Sequence, residues 1–257
     1  MQKIIAIANQ KGGVGKTTTT VNLATALAAI NKKVLIIDSD PQGNASTGLG
    51  FPNKDRENNL YDLLIEKAPA KKCIKPTKIP NLSILVSTPD LAAAEMDLIT
   101  LPDRNFRLKN SLKSIEGFDY IIIDCPPTLG ILTINAMTAS HSLLIPMQCE
   151  FYALEGLSQL IKTFNLVKTN LNRDIHIQGI VMTMYDKRNS LSLLVEKDVR
   201  QYFKEKVYTT RIPRNVRISE APSHGLPVML YDMHCKGAQA YLRLAKEFIN
   251  QERDKNV

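Results

Sequence analysis

Two lysines, Lys11 and Lys16, stand inside the run NQKGGVGKTTTT, residues 9–20. A lysine placed between a glycine-rich turn and a threonine is suited to phosphate chemistry. The pattern G-x-x-x-x-G-K-[ST] folds backbone N–H groups around phosphate oxygens, sets its lysine on the β- and γ-phosphates and offers a hydroxyl to Mg²⁺. Gly15, Lys16 and Thr17 complete that pattern, with Gln10 at the first glycine position. Gly12, Gly13 and Gly15 give the loop its backbone freedom. The expected nucleotide contacts therefore run from Gly12 and Gly13 through Val14, Gly15 and Lys16 to Thr17 and Thr18. The helix that follows turns its positive N-terminus to the same anion. Lys16 meets the need for a phosphate lysine, and spacing leaves Lys11 without a task.

Acids come next. VLIIDSDPQGN places Asp38 and Asp40 at the end of an apolar run, and IIIDCPP places Asp124 at the end of another. Asp124 stands at the position that holds a magnesium shell in phosphate-loop enzymes. If both runs are strands of one parallel sheet, all three acids emerge on the edge that carries the glycine loop. Like charges there repel unless a cation sits among them, and a nucleotide with Mg²⁺ supplies it. Taken alone, Asp38 or Asp40 reads equally well as a loop cap. Beside a phosphate loop, Asp40 is favoured for catalysis, because it lies further into its loop and can orient a water. Thr17 is the expected direct metal ligand, with Asp40 and Asp124 acting through water.

Elements in a fixed order must position these residues. Continuous Ile-, Val- and Leu-rich runs at 3–8, 33–38, 82–86, 120–125, 142–147 and 177–183 read as strands buried on both faces, and 206–213 as a weaker, more polar strand. Helical stretches are expected at 16–30, 60–67, 89–98, 103–115, 129–140, 153–171, 190–204 and 236–252. This alternation predicts an α/β fold, a doubly wound, mostly parallel sheet with helices on both faces. Residues 41–59 and 213–227, rich in Gly, Pro and Asn, read as long loops. Residues 1–257 read as one domain.

Composition excludes several classes. The 257 residues are 44% hydrophobic and 23% charged, as in an ordinary soluble protein. Cys73, Cys125, Cys149 and Cys235 form no C-x-x-C pair, which argues against a zinc site or a disulfide framework. Nothing resembles a signal peptide or a membrane span, so the chain is expected to be cytoplasmic. The net charge of +8 favours anionic partners. Residues 187–217 hold nine basic residues against three acidic ones, among them Lys187, Arg188, Arg214 and Arg217. Such clustering suits sequence-independent contact with double-stranded DNA phosphates, or a solvated helix face.

KGGVGKTTT, DSDPQGN, IIIDCPP, QCEFYALEGL and IPRNVRISEAPSHGLP together resemble the ParA/Soj partitioning ATPases, P-loop NTPases of the deviant Walker A group that also contains MinD. The resemblance runs from Lys3 to about Lys246. It implies ATP and Mg²⁺ as ligands, weak ATPase activity stimulated by a ParB/Spo0J-like centromere-binding protein, and an ATP-bound homodimer that binds DNA and associates with the nucleoid. Lys11 matches the signature lysine that reaches the partner's ATP and counts with Lys16 and Asp40 as catalytic. Glu150 matches a segment near the nucleotide and dimer interface, and Pro213 a segment near the adenine. Arg188 and Arg217 match nonspecific DNA contacts.

Membrane-binding relatives carry an amphipathic C-terminal helix. Here Tyr241, Leu242, Ala245, Phe248 and Ile249 form a stripe that more often packs on a core, followed by a polar tail. No membrane contact is expected. The phosphate loop begins near residue 10, so no N-terminal helix-turn-helix domain is expected either. A MinD-like surface-positioning ATPase without DNA binding, and a regulator of replication initiation, remain as alternatives.

Overall fold

In the computed structural model, which describes residues 2–254, seven strands form one sheet. They are β1 (Lys3–Ile7), β2 (Val34–Asp38), β3 (Ile74–Pro76), β4 (Leu82–Leu85), β5 (Tyr120–Asp124), β6 (Ser142–Gln148) and β7 (His176–Thr183), in the order β3-β4-β2-β5-β1-β6-β7. Every pairing is parallel except β3 with β4. β2 and β5 are buried along their whole length, as their unbroken Val, Leu and Ile runs require. Helices cover both faces, as expected.

The helices are α1 (Lys16–Ala29), α2 (Asn44–Gly48), α3 (Leu60–Leu64), α4 (Ala70–Cys73), α5 (Leu91–Ile99), α6 (Arg107–Leu112), α7 (Ile131–Ala139), α8 (Ala153–Asn170), α9 (Ser190–Phe203), α10 (Val216–Glu220), α11 (Val228–Tyr231) and α12 (Lys236–Asp254). One core layer joins Leu23 and Leu27 of α1 to Tyr241, Leu244 and Phe248 of α12 over Ile5, Ile36 and Ile122. The C-terminal stripe is thus core-facing, as its spacing predicts. The polar residues 255–257 lie outside the described residues. The other layer sets Leu108, Leu132, Leu157 and Phe164 against Leu35, Ile121 and Leu143. Among the described residues no helix is long and apolar enough to cross a membrane.

Three expectations change. Residues 206–213 form no strand: only isolated bridges join Val207 to Ile180 and Pro213 to Tyr185. The ladder breaks because the N–H groups of Thr209 and Thr210 donate to the Glu247 carboxylate at 2.6 and 2.9 Å. β3 has no apolar signature, and its Pro76 is tolerable only because the strand lies at an edge. The two long loops also contain α2 and α10, each of five residues.

Candidate functional site

β1 is an interior strand with β5 on one side and β6 on the other, so the chain beyond Ile7 enters the crevice at the C-terminal strand ends. Asn9 fixes the entry. Its amide donates to the Pro146 carbonyl at 2.8 Å, and its Oδ1 accepts from Lys11 N at 3.0 Å. Gly13 and Gly15 then take φ values of +73° and +85°, which a side chain would resist. Thr183, the last residue of β7, donates its hydroxyl to Val14 O at 2.7 Å and ties the loop to the sheet. Lys16 reaches back across the turn and donates to Lys11 O at 3.1 Å. Its ammonium is buried, which lowers its pKa, while Asp124, Cys125 and Asp40 act in the opposite direction. An ammonium so held away from water is suited to meet an anion.

The acids emerge beside it. Asp38 and Asp124 are register partners on β2 and β5, and Asp124 pairs with Ile7 on its other side. Both carboxyls are fully buried. Asp124 Oδ1 accepts from the Thr20 hydroxyl at 2.9 Å, whereas Oδ2 is buried without a well-formed hydrogen bond. Burial first, and then the charge of Asp38, raises the Asp124 pKa to about 8, although the Thr17 and Thr20 hydroxyls favour its ionised form. Asp38 Oδ2 accepts from Ser46 N at 2.8 Å and Ser46 Oγ at 2.6 Å. Burial still raises the Asp38 pKa to about 6. The expected mutual repulsion of the acids is thus relieved in part by proton uptake and by Ser46.

Asp40 begins the turn that follows. Its carboxylate accepts from Gln42 N at 3.0 Å, and its carbonyl accepts from Gly43 N at 2.9 Å and Ser87 Oγ at 2.7 Å. An oxygen that is buried and unsatisfied, Asp124 Oδ2, near the Thr17 hydroxyl, suits a hard divalent cation. No group of three or more His, Cys, Asp or Glu converges on a cation among the described residues. The further ligands of such a cation would come from phosphate oxygens and water.

Lys11 and Glu150 meet: the Lys11 ammonium pairs with a Glu150 carboxylate oxygen of the same chain. Pro213 is brought to the loop as well. With Gly15, Thr18, Thr183, Asn215 and Tyr241 it lines a cavity of about 330 Å³ beside the first turn of α1.

Of the basic residues, Arg214 lines that same cavity, whereas Lys187, Arg188 and Arg217 do not. Lys187, Arg188, Arg214 and Arg217 are exposed. Arg188 pairs with Asp186 at 2.9 Å, and Arg217 with Glu220 at 3.0 Å and Asp232 at 3.5 Å. Arg200 and Arg211 converge on Glu196, itself buried, at 2.8 Å each, so they serve the fold. Two contacts link this region to the phosphate edge. Tyr185 N donates to Ile212 O at 2.9 Å, holding the segments that bear Arg188 and Arg214 together just beyond Thr183. Gly225, at φ +63°, packs so closely on Gly50 that an added Cβ would lie 2.9 Å from Gly50 Cα. That joins the Arg217 segment to the end of the Asp40 turn.

Sequence reasoning passed over Asn9, Thr20, Ser46 and Thr183. Thr20 had a signal, since it lies four residues after Lys16 and hence on the same helix face. Ser46 and Thr183 come from other segments and had none.

Residues 2–177 match the family described as an AAA domain. The chain is 53% identical over 258 aligned residues to the chromosome partitioning protein ParA of Caulobacter vibrioides, covering 99% of this chain and 97% of that protein. It is 56% identical over 248 residues to the sporulation initiation inhibitor protein Soj of Bacillus subtilis, covering 96% and 98%. In structure it resembles cobyrinic acid a,c-diamide synthase from Mycobacterium smegmatis, solved with a bound ATP analogue and magnesium. The TM-score is 0.86, with 33% identity and coverage of 98% and 96%.

Proposed function

The chain belongs to the ParA/Soj family of partitioning ATPases, and from that premise we propose that it works as an ATP-driven DNA-segregation switch, one P-loop ATPase domain across residues 1–257. The observation that carries this reading is the convergence of the loop, Lys16, Asp40 and the half-satisfied Asp124 on one sheet edge. Lys16 and the N–H groups of residues 12–18 bind the phosphates of ATP. Thr17 would hold Mg²⁺ directly, with Asp40 and Asp124 reaching it through water, and the ion would supply neutralisation of phosphate charge. Asp40 positions the attacking water on the γ-phosphate, and Pro213 borders the base.

Lys11 serves a second copy. Two ATP molecules between two chains concentrate negative charge, and a lysine from each chain offsets it. To reach across, Lys11 leaves Glu150, so that contact belongs to the unpaired chain. Dimerisation doubles the surface carrying Lys187, Arg188, Arg214 and Arg217, and DNA binding turns on without base reading. Weak hydrolysis, stimulated by a ParB/Spo0J-like partner, removes the γ-phosphate contact that distinguishes the two states and releases the dimer from the nucleoid.

The test is retention on random duplex DNA with ATP and with ADP, each with and without the ParB-like protein. Retention with ATP alone, lost on adding the partner, supports the reading. Retention on anionic vesicles and not on DNA would replace it with a MinD-like role. Asp40→Ala should bind ATP and stay on DNA after the partner is added, with hydrolysis reduced by roughly a hundredfold or more. Prompt release of that variant removes Asp40 from the catalytic role.

A further inference from the structure

A second basic stretch lies far from residues 187–217. Lys67, Lys71, Lys72, Lys75 and Lys78 fall within twelve residues, and no acidic residue occurs from Lys67 to Pro89. They occupy α4, β3 and the turns around them, at the sheet edge opposite β7. Six strand spacings put the two edges roughly 29 Å apart. All five are exposed except Lys75, which is half-buried. Lys67 is partly occupied, with its ammonium 5.1 Å from the centre of the Tyr61 ring. None of the five has an ion-pair partner among the described residues. Of the first surface, Arg188 and Arg217 are paired with acids of their own segments, whereas Lys187 and Arg214 resemble these lysines in having no ion pair among the described residues.

Plain solvation of surface lysines is the outcome an unchanged affinity would show; positive charge at this density has two further ordinary explanations, and neither accounts for it. Lysines on an edge strand discourage pairing with another chain. Only Lys75 lies within β3, whose Pro76 already blunts the edge, so four of the five stand outside that need. A lipid surface would take lysines together with an exposed apolar face. No large apolar side chain is exposed between residues 31 and 95, so nothing here inserts. A polyanion read from its surface needs lysines alone. From Lys72 to Lys78 the chain spans at most roughly 20 Å, a length over which duplex DNA presents about a dozen phosphates.

We propose that Lys71, Lys72, Lys75 and Lys78 form a second contact surface for the DNA phosphate backbone, at the opposite sheet edge from Arg188 and Arg217. It rests on the reading of this chain as a DNA-binding ATPase and extends it: each chain holds the duplex at two separated places. The lysines contact phosphates only, so they add affinity and salt dependence without sequence preference.

The test uses the full chain with ATP, Mg²⁺ and a random duplex, measured by anisotropy over a series of salt concentrations. One variant carries Lys71→Gln, Lys72→Gln, Lys75→Gln and Lys78→Gln, and a second carries Arg188→Ala and Arg217→Ala. Thermal melting and basal ATPase check that each variant is folded. The glutamine variant should keep its melting temperature and basal ATPase. Its affinity at 0.1 M salt should fall at least about tenfold, and its log–log salt slope should become less steep by about 2 or more. An unchanged affinity and slope, while the arginine variant weakens, overturns the second surface and leaves the DNA-binding reading standing. Absence of DNA binding by the unsubstituted chain defeats that reading itself, and the proposal with it. Loss of binding to anionic vesicles with DNA binding intact assigns the lysines to lipid and overturns the proposal too.

Discussion

At the C-terminal edge of the sheet, charge is buried, singly placed and locked. Lys16, Asp38 and Asp124 are each at or below 7% exposure, and each has a named hydrogen-bond partner. Across residues 187–217, charge is plentiful and mostly outside, and its arginines divide between the fold and the solvent. The first region acts by position, so one substitution should remove a function. The second acts by summation, so one substitution should shift a number. Coulomb interactions at the two places differ accordingly: a buried group meets a low effective dielectric, and an exposed one is screened by water and salt.

The largest effect should come from Lys16→Ala, which removes the one buried ammonium at the phosphate loop. Hydrolysis should fall roughly a hundred- to thousandfold, and ATP binding should weaken in a direct titration. A loss below about tenfold would place Lys16 with the summing region instead.

A pH titration should separate the regions next. Asp124 and Asp38 have pKa values raised to about 8 and about 6, above the ordinary carboxylate value. Their protonated forms therefore stabilise the ion-free fold. That contribution is complete below about pH 4, the unfolded-state range, and is lost as pH rises through about 6 for Asp38 and about 8 for Asp124. Thermal melting without nucleotide or Mg²⁺ should decline from pH 6 to pH 9, and Mg²⁺ with ATP should reduce the decline. Melting that rises over this range would show that the two carboxyls are ionised in the free chain.

The smallest effect should come from Asp186→Asn. Arg188 holds the Asp186 carboxyl down to about 2, so the pair stays charged at every working pH and, on the proposed DNA surface, half of it would oppose phosphate. Removing the acid should strengthen DNA binding by a few-fold and steepen the salt slope by no more than about 1. Weaker binding would mean that Asp186 is needed to aim Arg188.

The same contrast governs what could be read in advance. A glycine loop followed by Lys16 and Thr17 is local chemistry, and apolar runs ending in Asp38 and Asp124 set the strand ends where a parallel sheet needs them. Local pattern was therefore enough for the fold and for bringing Lys16, Asp38 and Asp124 to one sheet edge. Ser46 on Asp38, Thr183 on Val14 and the Gly50–Gly225 contact arise only from the tertiary arrangement, and no spacing announces them. Charge counting has a different limit. Arg200 and Arg211 are among the nine basic residues of 187–217, and a count cannot see that both pair with the buried Glu196. β3 was invisible for a third reason: three residues, one a proline, are held by their neighbour β4 and not by their own pattern.

Lys11 lies between the two regions, at the phosphate loop yet partly exposed and, among the described residues, ion-paired with Glu150. The most direct test of the whole account is sedimentation of Lys11→Ala with ATP and Mg²⁺, with DNA retention measured on the same sample. The account predicts that ATP still binds, that the protein sediments as a monomer and that DNA is not retained. A Lys11→Ala protein that dimerises with ATP and holds DNA would contradict it.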